Sequence, residues 1–330
     1  MGAPPDHLEI EAFSPLGETP VLVLDSGEDA ARYAQARALV IGVDREGALP
    51  ALDPTFYDIL LTSADKAPKP WLSAPGASFD AKLEALREAA RGAPIAASIL
   101  RQVLRLNEAN APQDGLQIES FAYSTLLGGA EFRRWREANP SDADSPGPGA
   151  VSLAREDDLL VITLDQPDTR NAMTAAMRDA LFEALAAALD DPSRPRVRLQ
   201  AAGACFSVGG DLREFGANAD LAGAHVVRTM RSVAALLYEL GARAEVIFHG
   251  ACIGSGLEAP AAAARRIARP GAFFQLPEVK FGLIPGAGGT ITVPRAIGRH
   301  RACAMMLGGA RVSAATALEW GLVHAIEPAP

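Results

Sequence analysis

The chain has 330 residues, 49% of them apolar, and a formal net charge of −9. That length allows two ordinary domains or one large domain with an added piece, and the apolar share supports a sizeable core. The acidic balance, with no basic stripe, argues against a nucleic-acid partner, and an anionic ligand would need a local positive spot.

Three apolar runs open the chain, Val21–Leu24, Ala38–Val43 and Ile59–Leu61, with a short helix expected over 30–38. Separated by turn residues, they read as a small α/β extension over residues 1–80. A Pro-rich break at Ala67-Pro68-Lys69-Pro70 follows. From 81 to 138 the pattern is helical: Leu83, Leu86 and Ala90 share one face, Ile95, Ile99, Leu100 and Val103 another. Residues 115–135 give a third stretch with Leu116, Phe121, Leu126 and Leu127. Residues 139–150, rich in Pro, Gly, Ser and Asp, read as a linker.

Beyond the linker, strands alternate with helices. Leu159–Leu164 reads as a buried strand, 174–189 as an amphipathic helix, and Val197–Gln200 as a strand. A single helix is expected over 226–240, a strand at Val246–Phe248, then a turn over 250–256 into a helix carrying Glu258. This alternation indicates a layered α/β fold for residues 151–330.

Two carboxylates dominate this half. Glu258 follows Gly254-Ser255-Gly256-Leu257, and Glu278 lies between Pro277 and Val279 beside Phe273, Phe274 and Phe281. Most glutamates are solvated, but these surroundings are apolar and would raise both pKa values, as acid–base work requires. Two glycine-rich turns, Ser207-Val208-Gly209-Gly210-Asp211 and the one before Glu258, each lead into a helix. Backbone N–H groups at such turns can hold a carbonyl oxygen, an arrangement worth about 3 kcal/mol per donor in a transition state. Either turn alone could be purely structural. The Pro285–Thr290 run lacks the lysine of a P-loop and the GxGxxG spacing. The five histidines form no HExxH pair, and no GxSxG elbow is present. Cys205, Cys252 and Cys303 are widely spaced in apolar segments, which favours reduced buried thiols over a disulfide framework or zinc site. The N-terminus lacks a signal-peptide pattern, and no apolar run is long enough to span a membrane, so a cytoplasmic protein is expected.

In order, five segments resemble the crotonase (enoyl-CoA hydratase/isomerase) superfamily: Leu164–Pro167 with Arg170–Met173, Phe206–Leu212, His249–Glu258, Leu276–Thr290 and Ala314–Val323. The resemblance implies a ββα-spiral core that binds acyl-CoA and assembles as trimers or paired trimers. It places the oxyanion-hole amides at Val208 and Ser255 and the catalytic pair at Glu258 and Glu278. Ala172, Gly209, Gly210, Asp211 and Gly286 fall on substrate-binding positions, Gly286 beside the catalytic water. It implies hydration of a 2-enoyl-CoA with no cofactor beyond the CoA of the substrate. Isomerase, hydrolase or decarboxylase chemistry on another acyl-CoA, or non-catalytic acyl-CoA binding, stays open. Ser255 and Val208 replace the smaller Gly and Ala common there. The family's helical C-terminal region, which supports assembly, does not follow Val323. Residues 82–139 resemble it more weakly, so a circular permutation is expected, with a fused degenerate half as the alternative.

Overall fold

The computed structural model describes residues 9–140 and 149–328. After one helical turn at Glu9–Ala12, four strands build an all-parallel sheet in sequence order: β1 (Val21–Asp25), β2 (Leu39–Asp44), β3 (Ile59–Thr62) and β4 (Leu72–Ser73). Every residue of β2 and β3 is buried, the mark of a parallel sheet covered on both faces. On one face Leu22, Leu24, Val40, Leu60 and Trp71 form a small cluster; on the other Leu39, Ile41, Val43, Ile59 and Leu61 enter the main core. The helix expected over 30–38 shortens to a 3₁₀ turn at Ala30–Tyr33, and β4 is too short to leave a periodic signal.

Four helices follow: α1 (Ser78–Gly92), α2 (Pro94–Asn107), α3 (Pro112–Leu127) and α4 (Ala130–Ala138). The Gly128-Gly129 pair divides the expected 115–135 stretch into α3 and α4. Residues 141–148, most of the expected linker, lie outside the described residues.

The second half opens with a hairpin, β5 (Val151–Glu156) and β6 (Leu159–Leu164), then α5 (Ala175–Asp190) and β7 (Arg196–Ala201). The single helix expected over 226–240 is two, α6 (Leu221–Met230) and α7 (Val233–Leu240). Ser232 interrupts it because its hydroxyl accepts from the Ala235 amide as an N-cap. Next come β8 (Ala244–Phe248), β9 (Ala251–Ile253), α8 (Ser255–Glu258), β10 (Arg265–Ala268), β11 (Phe273–Gln275), α9 (Gly289–Ile297), α10 (Arg299–Gly308), β12 (Val312–Ser313), α11 (Ala314–Trp320) and β13 (Ala325–Ile326). A six-stranded sheet runs β13-β10-β8-β7-β6-β5 and a three-stranded sheet β12-β11-β9. Consecutive strands β8/β9 and β10/β11 therefore belong to different sheets, and helices follow, which is a ββα spiral. Gly250 makes one of these changes of sheet at φ +55; a Cβ there would lie 2.4 Å from the Ala204 carbonyl oxygen.

One continuous core joins the N-terminal sheet, α1–α3 and the spiral. The start of α10 grips the N-terminal sheet through polar contacts. Arg299 Nη1 donates to Tyr57 O at 2.8 Å, and Arg301 donates to Trp71 O at 2.9 Å and Ala67 O at 2.6 Å. Residues 82–138 dock on the spiral as well: Leu100 and Leu116 share its core with Ile284 and Ile291. The three cysteines are buried free thiols. Among the described residues no helix is long and apolar enough to cross a membrane.

Candidate active site

Two neighbouring strands bring the glutamates together. Ile253 at the end of β9 pairs with Gln275 at the end of β11, so the segments leaving the two strands start side by side. Glu258 closes α8, and Glu278 opens a 3₁₀ turn over Glu278–Phe281. Their exposures are 3% and 6%. A Cβ placed on Gly254 would lie 2.9 Å from Glu278 Oε1 and 3.9 Å from Glu258 Oε1, so both carboxylates face one point. Gly254 also has φ +51, a second reason for glycine there.

The two carboxylates differ in their partners. Helix α9 begins at Gly288 without a side-chain cap, leaving its first amides to find acceptors elsewhere. Glu258 Oε2 accepts from Ala287 N at 2.7 Å and Gly289 N at 3.2 Å. Glu119, from α3, accepts from Gly288 N at 2.6 Å, Thr290 N at 2.8 Å and Thr290 Oγ1 at 2.7 Å. Successive amides of one turn therefore alternate between two buried carboxylates. Glu278 has no such support: its Oε2 is buried without a hydrogen-bond partner.

Burial pushes the Glu258 pKa up to about 7, against the pull of the amides of Ala287, Gly289 and Gly286. Burial, then the nearby Glu258, pushes Glu119 to about 8. Glu278 is raised well above the ordinary carboxyl range by burial and then by Glu258. The site therefore holds a carboxylate prepared for charge by backbone donors beside a carboxyl group favoured in its neutral form.

Ser255 lines a cavity with this pair, and Val208 precedes Gly209, where an added Cβ would lie 3.6 Å from Gly254 Cα. The Ser255 amide, first in α8, has no acceptor among the described residues, and Ser255 Oγ is also buried without a partner. The Val208 amide donates to Arg170 O at 3.2 Å. Arg170 and Asn171 both take left-handed φ values, +55 and +53. Asn171, fully buried, holds this turn: its Oδ1 accepts from Gln166 N at 2.9 Å and its Nδ2 donates to Ala202 O at 2.9 Å and Cys205 O at 3.1 Å.

A cavity of about 160 Å³ is lined by Glu258, Glu278, Ser255, Gly210, Gly286 and Tyr123 among others. Of the other positions singled out in the sequence, Gly209 carries the turn at φ +92. Ala172 is buried next to Met173, which lines the cavity. Asp211 is turned onto Arg213, whose guanidinium it binds through both carboxylate oxygens. No group of His, Cys, Asp or Glu among the described residues is arranged to hold a metal ion.

Sequence reasoning missed α3 as a wall of the site. Leu116, Glu119 and Tyr123 are spaced along one helical face, and Tyr123 packs so closely that a Cβ on Gly286 would meet its ring at 2.5 Å. The periodicity was visible, but Phe121, expected on the apolar face, is 58% exposed. Glu119 was indistinguishable from a surface helix charge.

The sequence profile for enoyl-CoA hydratase/isomerase matches residues 154–330. An assigned enoyl-CoA hydratase of Mycobacterium tuberculosis is 35% identical over 182 residues, 54% of this chain and 70% of the relative. An enoyl-CoA isomerase/hydratase of Mycosarcoma maydis is 32% identical over 179 residues; the match spans 51% of this chain and 64% of that protein. A solved structure from Rhodopseudomonas palustris, assigned as an enoyl-CoA hydratase, has 31% identity and a TM-score of 0.50, covering 56% of this chain and 72% of its own. The matched region contains both cavity glutamates and spans more than half of the sequence, and on that extent the chain belongs to the enoyl-CoA hydratase/isomerase family of the crotonase superfamily.

Proposed function

We propose that the protein adds water across the C2–C3 double bond of a 2-enoyl-CoA thioester. The observation that carries this reading is the unequal treatment of the two glutamates. Glu258, held by backbone amides, takes a proton from water as its oxygen bonds to C3. The C2–C3 π electrons move toward the thioester oxygen, which the amides of Ser255 and Val208 stabilise once Val208 exchanges its bond to Arg170. Glu278 then gives its proton to C2, and the two carboxyl groups exchange one proton to reset. Incubation with crotonyl-CoA should yield 3-hydroxybutyryl-CoA. Another product from crotonyl-CoA or from a panel of other acyl-CoA thioesters would reassign the reaction, and binding without turnover would make the protein a non-catalytic subunit.

The carboxyl groups also give this reading a pH signature. Activity should rise through about pH 7 as Glu258 ionises and fall at higher pH as Glu278 loses its proton. Glu119, pushed to about 8, is still mostly protonated at the acidic limb, so Glu119→Gln should leave that limb in place. A limb displaced to lower pH would show that Glu119 already carries charge beside Glu258 near pH 7. Stability follows the opposite sense. The folded state holds the Glu258 proton more tightly than the unfolded chain, whose reference value is 4.5, so that stabilisation is complete below about pH 4.5 and is lost as pH rises through about 7. The Tm of the free protein should therefore fall over that interval, and Glu258→Gln should flatten the decline.

We further propose that α1–α4 take the place of the family's C-terminal helices, as a circular permutation would arrange them. The bonds from Glu119 to the α9 turn support this. Residues 149–330 expressed alone should be inactive and should regain activity when residues 1–140 are supplied in trans. The exposed Val226, Val227 and Met230 of α6, near exposed Phe121 of α3, are compatible with assembly into an oligomer. A cytoplasmic location is part of the same reading.

A further inference from the structure

Past Ser255 and Gly286 the cavity continues into a pocket of about 170 Å³. Leu116, Leu164, Met173 and Leu181 give it apolar walls suited to an acyl chain. Arg228, from α6, breaks this pattern and lines both the pocket and the space around the glutamates. Its Nη1 donates to Ser120 O at 3.3 Å, Ser120 Oγ at 2.8 Å and Ser124 Oγ at 3.1 Å. The guanidinium carbon lies 4.7 Å from the Tyr123 ring centroid. These contacts fix the guanidinium plane and leave Nε and Nη2 without an acceptor among the described residues.

The neighbouring cations differ. Arg178 pairs with Asp179, and Arg231 with Asp179 and Glu183. Among the described residues no carboxylate lies within 4 Å of Arg228, although Glu119 lines the same pocket. Burial holds the Arg228 pKa below its ordinary value, outweighing the opposite pull of Tyr123 and Glu119. A carboxylate entering the pocket would meet a fixed planar fork with two free donors.

We propose that Arg228 anchors a carboxylate at the far end of the acyl chain, so that the preferred ligands are CoA thioesters of dicarboxylic acids. The inference rests on the acyl-CoA reading of the site but not on its turnover. Calorimetric titration with glutaryl-, adipyl- and suberyl-CoA, each against the unsubstituted thioester of equal length, tests it directly. At one length or more the dicarboxylic partner should bind about 10- to 100-fold more tightly. Arg228→Met should bring that ratio to about one, and Arg228→Lys should restore part of it. A ratio near one in the native protein overturns the proposal. So does an Arg228→Met variant that weakens both partners equally, since that would mark a contact to CoA or to the fold. A clear preference without hydration of the matching enoyl thioesters would keep the anchor and remove the proposed reaction. Hydration with no preference would do the reverse.

Discussion

Glu258→Gln should lower kcat for the proposed enoyl-CoA hydration by about 10³-fold, within the range expected for loss of a positioned general base. Glutamine keeps the volume and an oxygen for the amides of Ala287 or Gly289 but cannot take a proton from water. Glu278→Gln should give a loss of similar order for the complementary reason: its amide could not serve as the proposed acid at C2. Acyl-CoA binding should change only a few-fold in either variant, because the proposed thioester donors are backbone amides. The loss should therefore appear in kcat and not in KM. Steady-state rates with crotonyl-CoA and titration with butyryl-CoA measure the two quantities. Near-normal turnover in both variants would remove the glutamates from the mechanism.

That pair was readable from the chain because glycine-rich turns and apolar neighbours surround both residues within a short span. The resemblance already suggested Glu258 as base and Glu278 as acid, with shared roles as the alternative, but the physical basis proposed for that division was not legible. It depends on the amides of Ala287 and Gly289, which reach Glu258 only after α9 folds against α8, and on the missing partner at Glu278 Oε2. Glu119 was less accessible still, because its donors lie far away in sequence and no local pattern marks a carboxylate that will cap another helix. The same distinction runs through the fold. Buried strands such as Leu159–Leu164 and Ile59–Leu61 carry their signal in consecutive apolar residues. The exposed β5, with the sequence VSLARE, has no such run and owes its strand conformation to pairing with β6. Local apolar runs located the N-terminal strands, whereas the parallel order of their sheet and its attachment to α10 rest on long-range polar contacts.

Asp58→Ala should destabilise the whole protein by about 3–5 kcal/mol, the usual result of removing one partner from a buried ion pair. Asp58 precedes β3 and is 1% exposed. One carboxylate oxygen accepts from Arg101 Nε at 2.8 Å and Val40 N at 2.9 Å; the other accepts from Arg105 Nε at 2.7 Å. Arg299 Nη1 of α10 stands 4.0 Å away. A single carboxylate thus offsets charges from α2 and α10 at the N-terminal ends of the sheet's two central strands, and alanine would leave Arg101 and Arg299 buried without it. Asp58→Asn, which keeps one acceptor oxygen but loses the charge, should fall between the two, and adding Arg101→Met to Asp58→Ala should recover part of the loss because one stranded cation goes with it. Thermal unfolding followed by calorimetry distinguishes two kinds of N-terminal sheet. If the shared core makes it part of the cooperative unit, Asp58→Ala shifts a single transition downward, and activity is lost at that same lower temperature. If the sheet is an independent appendage, a separate early transition appears while the temperature of inactivation stays in place. The continuity of the core from Leu39 through Leu100 and Leu116 to Ile284 favours the first outcome: the helix carrying Glu119 is packed between that sheet's partners and the catalytic turn, so neither can unfold without releasing the other.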